Sequence, residues 1–249
     1  MSAVHVAFDI PSVFRETTPG LDTQRAHAEV MAHADAQGGS DLPAERIDQM
    51  VAEYEKNSAM LAAAGVRYSA TCFGQFDDEW SMGTLTIGMT PLAYRDTEIA
   101  VAGMTKIFAA KHGPNAEVSS LPLPCGLATL VIQQPTALRM PAEFTASGED
   151  VPIDVAQLQA FIPVPQSAVP GAQTLVTVTF STPSTDHWAD YCELLVPFLQ
   201  SLRFLPDGDA GQEPGDRDGA TTRDGGAYAP VEVPAPLSAT GGPALTSFG

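Results

Sequence analysis

Three cysteines and a histidine flanked by acids are the residues with which this chain would have to do covalent chemistry. Cys72, Cys125 and Cys192 lie far apart and show no C-x-x-C spacing, which argues against a disulfide framework and against a zinc site. On paper, Cys125 or Cys72 combines with His187 and with Asp186 or Asp190 into a nucleophile, base and acid. Hydrolysis through a cysteine is therefore the catalytic alternative to weigh. Each member also has a plainer reading. Cys72 alternates onto the apolar side of a strand, and Cys192 borders an amphipathic helical stripe, so both read as packing thiols. His187 reads as an exposed cap at a helix start. No family signature surrounds any of the three thiols, and no catalytic residue is assigned.

The carboxylates support no cation site. Asp77-Asp78-Glu79 and the looser group Glu149, Asp150 and Asp154 lack the alternating spacing and glycine of a calcium loop, and they read as solvated loops. Neither G-x-x-x-x-G-K-[ST] nor G-x-G-x-x-G occurs, so nucleotide phosphates find no cradle, and the G-x-S-x-G elbow is missing too. No metal and no cofactor is expected. Aromatic side chains on a half-open sheet remain: Phe73, Phe76, Trp80, Tyr94 and Phe161. Trp80, Phe161 and Phe76 are the candidate binding residues, as a cluster able to take a protein or a small apolar ligand. Core and rim positions account for such residues equally well.

The elements that would position these groups follow from two periodicities. Val176, Val178 and Phe180 alternate with Leu175, Thr177 and Thr179, which predicts a strand. After Pro183 the step changes. Trp188, Tyr191, Leu195, Phe198, Leu199 and Leu202 recur every three or four residues and predict an amphipathic helix, with Pro197 bending it. Within Val4 to Phe14, Val6, Phe8 and Ile10 alternate and read as a short edge strand stopped by Pro11. Residues 21–65 read as a helical pair, the second helix starting at Pro43 and ending at Gly65. Val66 to Cys72 and Leu85 to Met89 alternate as a hairpin around the Asp77–Ser81 turn. Asp96 caps a helix running to His112, stopped by Gly113-Pro114. Val118–Leu123, Leu127–Gln133 and Val155–Val164 read as further strands, with Pro135 to Asp154 as a loop.

These predict a single α+β domain over residues 1–206. Its core is a mostly antiparallel sheet of five to seven strands with helices packed on it, and 21–65 is a helical insertion. Residues 207–249 are Gly-, Pro- and Asp-rich without period and read as a disordered acidic tail, inert or carrying a short docking peptide.

Of the formal net charge of -18, residues 1–205 hold 23 acids against 10 Lys and Arg. That charge keeps a chain in solution and repels nucleic acid and anionic membrane surfaces. No apolar run approaches the ~20 residues needed to span a bilayer. The N-terminus lacks a basic region before an apolar one, so a cytoplasmic location is expected.

The closing strand, V-T-V-T-F-S-T-P-S, with its helix ending in S-L-R-F and the opening F-D-I-P, resembles the PsbP/LpqN-like superfamily. The chain is also similar to uncharacterised, tail-bearing proteins of high-GC bacteria, some found near type VII secretion genes. The resemblance implies a PsbP-like sandwich and a non-enzymatic accessory protein with a protein partner, associated with secretion. It carries over no catalytic residue.

Overall fold

The computed structural model describes residues 4–36, 43–76, 79–140, 142, 145 and 147–206. Nine strands and four α-helices order these residues: β1 (Val4–Ala7), β2 (Phe14–Thr17), α1 (Thr23–Ala36), α2 (Ala44–Ala63), β3 (Val66–Phe76), β4 (Glu79–Pro91) and α3 (Thr97–His112), followed by β5 (Ala116–Leu123), β6 (Gly126–Met140), β7 (Val151–Pro163), β8 (Thr174–Thr182), α4 (Trp188–Ser201) and β9 (Arg203–Pro206). Seven strands form one sheet in the order β2-β3-β4-β8-β7-β6-β5, every neighbouring pair antiparallel. The remaining two, β1 and β9, pair with each other. The expected α+β class with a mostly antiparallel sheet under helices is the observed one.

Alternation gives the sheet two unlike faces. Leu85, Ile87, Met89, Val176, Val178, Phe180, Leu158, Ala160 and Ile162 line the inner face and are buried. Helix α4 lies over them with Tyr191, Leu195, Phe198 and Leu199, the stripe that the three-and-four spacing anticipates. Val4, Val6 and Phe204 of the β1–β9 ribbon close the same core with Phe8, the residue after β1, which meets Tyr68 and Phe198 edge-on at 4.7 and 5.6 Å.

On the outer face α3 covers β5, β6 and β7. Val101 is fully buried, the Thr129 hydroxyl donates to its carbonyl at 3.2 Å, and Phe108 stacks on Phe161 at 4.4 Å. Asp96 caps α3 as expected, its carboxylate accepting from the Ile99 amide at 3.0 Å.

Helices α1 and α2 enter the chain between β2 and β3 and bury a small core of their own: Leu21, Ala26, Val30 and Val51. Ser58 ties this pair to the incoming chain, accepting from Leu21 N at 2.7 Å and donating to Thr18 O at 3.0 Å.

Four expectations change. The strand expected to stop at Pro11 is shorter, since β1 ends at Ala7, and a further strand, β2, begins after the turn at Pro11 and joins a different sheet. Pro135 to Asp154 is not simply a loop, because β6 runs to Met140 and pairs with Val151–Val155 beyond a β-bulge between Gln133 and Thr136. Pro135 is tolerated at that bulge, where the ladder is already interrupted. Leu202 ends α4, and the residues after it form β9, a strand with no counterpart among the expected elements. His187 does hold the cap position at the start of α4, but it is not exposed: it ends the 3-10 turn Thr185–His187 and is 9% exposed. The tail expected from residue 207 onward, and Asp77 and Asp78 of the hairpin turn, lie outside the described residues.

Candidate functional site

The β3–β4 hairpin outruns the sheet that carries it. The last rung between β2 and β3 is Phe14 with Cys72, and the last between β4 and β8 is Thr84 with Ser181. Beyond them, Phe73–Phe76 and Glu79–Met82 pair only with each other. Side chains replace the missing ladder on one side. Ser184 Oγ accepts from the Met82 amide at 3.1 Å, the Thr182 hydroxyl donates to the Met82 carbonyl, and Thr182 Oγ1 accepts from Ser184 N.

Packing holds the inner side of this tip. The Phe76 ring lies 5.2 Å from Tyr191 and 5.5 Å from His187. Ser81 and Tyr191 share a buried hydroxyl–hydroxyl hydrogen bond of 2.8 Å. Gly83 is needed here: a Cβ would stand 2.6 Å from the Phe180 ring. Glu79 approaches His187 Nε2 at 3.7 Å, while His187 Nδ1 is buried without a hydrogen-bond partner.

The outer side of the same tip carries the candidate surface. Phe73 pairs across the hairpin with Met82, and Trp80 is two residues from Met82 on the same face. Phe73 and Trp80 stack at 5.0 Å with planes 20° apart, and each remains 65% exposed. Met82 is 42% exposed beside them. Stacking of two large rings on a pinned hairpin fixes the shape of the patch before anything binds it.

The three expected binding residues are not one cluster. Trp80 belongs to the exposed patch. Phe76 is on the opposite face, packed against Tyr191 and His187. Phe161 lies under α3, stacked on Phe108. Met82 was missed, although its signal is legible: Trp80 and Met82 alternate with buried Ser81 and Gly83, so they share the face away from the core.

Each thiol is surrounded by groups that disfavour its anion. Burial pushes Cys125 up to about 11. Burial raises Cys72 too, partly offset by a hydrogen bond with Tyr191, and burial alone raises Cys192. A reactive cysteine needs the reverse shift. Among the described residues, no group of three or more His, Cys, Asp or Glu side chains is placed to hold a metal ion, and no helix is long and apolar enough to cross a membrane.

Cys125 borders a half-open cavity of about 570 Å³ between the β5–β6 turn, the loop after β7 and the start of β9. Leu127, Pro165, Ala168 and Phe204 share its wall with Thr97, Glu98, Ser167 and Arg203. Gly126, at φ +145°, lets the β5–β6 turn meet Pro165 closely, where a Cβ would stand 2.7 Å from the proline ring.

Comparison with known proteins finds no family model, no curated protein and no solved structure that matches this chain.

Proposed function

We propose that this chain is a non-catalytic protein-binding module, an accessory factor whose docking face is the outer tip of the β3–β4 hairpin. The stacked, two-thirds-exposed Phe73–Trp80 pair carries the reading. Large aromatics beside a methionine are the side chains that anchor protein interfaces. The chain's charge of -18 favours a partner segment that combines apolar and basic side chains. The resemblance of the closing strand and helix to PsbP/LpqN-like proteins agrees with an accessory role, including one beside a secretion apparatus. The upward shift of all three thiols weighs against the cysteine hydrolase.

A photo-crosslinking residue at position 82 tests this in the native cell. One discrete adduct is expected, and Phe73→Ala with Trp80→Ala should abolish it while a crosslinker on α3 gives a different pattern. Adducts unaffected by the double substitution sink the reading.

The cavity beside Cys125 supports a second reading, a small ligand with both apolar and polar groups, since its volume lies in the range of small-molecule sites. Such a ligand seated there slows maleimide labelling of Cys125 but not of Cys192. Equal labelling with and without a saturating amphipathic fluorophore excludes that site.

A further inference from the structure

Along β4 the residues that point away from the core run Trp80, Met82, Thr84 and Thr86. The surface therefore continues past the aromatic tip. Register carries it sideways: Thr84 stands opposite Ser181 and Ser181 opposite Gln157, while Thr86 stands opposite Thr179 and Thr179 opposite Gln159. Two rows of three side chains result, ~4.8 Å apart between strands and ~7 Å apart along them. All six are partly exposed, and their side chains make no hydrogen bond to another described residue. They stand on β4, β8 and β7, central strands of the seven, so the sheet fixes their spacing before anything binds.

What the block lacks is charge. The chain has 30 Asp and Glu and 12 Lys and Arg. None of them stands at an outward position from Ser69 to Gln75 on β3, Trp80 to Thr90 on β4, Gln157 to Pro163 on β7 or Leu175 to Ser181 on β8. Two cations border the face on one side: Arg15 of β2, opposite Thr71, and Arg67 at the β-bulge near the start of β3. Glu79 lies on the other face, beside His187. The solvated face of an antiparallel sheet is polar, and a soluble surface ordinarily mixes charges into it. Without cations inside it, the block offers phosphates nothing to pair with. Without an apolar centre, it does not anchor a protein, and covering six unpaired polar groups with apolar surface is costly.

A ligand made of hydroxyl groups is the complement. A sugar hydroxyl donates one hydrogen bond and accepts others, as Thr and Ser do, and a Gln amide presents a donor and an acceptor side by side to two neighbouring hydroxyls. The C–H face of a pyranose ring is apolar and packs on an aromatic face, which the Phe73–Trp80 stack supplies at one end. From Trp80 to Thr86 the strip is ~20 Å long, which suits a chain of sugars better than a single one. We infer that the outer face of β4, β8 and β7 binds a neutral polysaccharide, with the two hydroxyl and amide rows as its floor and the Phe73–Trp80 stack as its end wall. The floor lies outside the tip, so this goes beyond the protein-binding reading and has only the aromatic pair in common with it.

Affinity electrophoresis of the full chain tests it, in native gels cast with a soluble neutral glucan, mannan or galactan, and with dextran sulfate as the anionic control. At least one neutral polymer should retard the chain, and dextran sulfate should not. Thr84→Val, Thr86→Val and Thr179→Val together keep the branched shape and strand preference of each side chain while removing its hydroxyl. They should weaken binding at least tenfold with unchanged circular dichroism. Serine at the same three positions should restore most of it, a rescue that a purely structural role does not give. Gln157→Ala with Gln159→Ala, on a separate strand, and Trp80→Ala should each weaken retention as well. The adduct of a crosslinker at position 82 with a protein partner should survive the valine substitutions, so the two readings fail separately. A chain that no neutral polymer retards overturns the proposal. So does retention indifferent to the valine and glutamine substitutions, or retention stronger on dextran sulfate than on every neutral polymer.

Discussion

A methyl group added at position 83 has nowhere to go. Gly83 lies under the Phe180 ring and close to Tyr191, both fully buried, so neither can swing away. Gly83→Ala should lower stability by roughly 1–3 kcal/mol, read as a reduced urea midpoint at constant slope. Gly74→Ala, where a Cβ meets nothing within 4 Å, is the control and should change little.

Cys125 makes a second prediction at this scale. Burial holds its thiol near 11, against an ordinary 9.0. Between those values the unfolded chain releases its proton first, so the unfolded state binds fewer protons. The stability this thiol contributes is complete below pH 9 and is lost as pH rises towards 11. Denaturation across that window should show a negative pH slope that is smaller in Cys125→Ser. Equal slopes in the two proteins would contradict the assignment.

Among the elements, α4 contains its own weak point. Pro197 interrupts the hydrogen-bond ladder on the solvent side of the helix, while Tyr191, Leu195, Phe198 and Leu199 hold the other side to the sheet. Pro197→Ala should restore the bond without touching the core and stabilise the chain by roughly 1–3 kcal/mol, measured by thermal melting. That helix, its stripe and the strand before it were readable from spacing alone, because local periodicity and burial agree there. The far end of the β6–β7 pairing was not. Pro135, Pro141 and Gly148 look like loop punctuation, and only the partner strand shows that Pro135 falls at a bulge. The exposure of His187 was misjudged for a related reason: the residues before it, Ser184 to Asp186, are polar, and the ring that covers it, Phe76, comes from a strand more than a hundred residues earlier. The candidate site divides the same way. Trp80 was found from composition, and Met82 was available from alternation. Burial of Phe161 depends on where α3 docks, which no local pattern encodes.

Taken together, the described residues form two unequal cores. The sheet, α4 and the β1–β9 ribbon share one large cluster, while α1 and α2 rest on four buried residues and a few hydrogen bonds around Ser58 and Tyr54. Amide exchange should therefore find α1–α2 opening at lower free energy than β4 and β8, as a separate unit. Uniform protection of both regions would show the pair to be integral to the main core.

The β1–β9 ribbon has a mechanical meaning. Val4 faces Pro206 at the end of the ribbon where the chain enters and leaves the described body, and the two strands run in opposite directions. Tension applied through the flanking segments therefore loads this pair as a zipper rather than in shear, breaking its rungs one after another. The first yield under load would be the peeling of β1 from β9. That step bares Val4, Val6 and Phe204 while the seven-stranded sheet still carries no force.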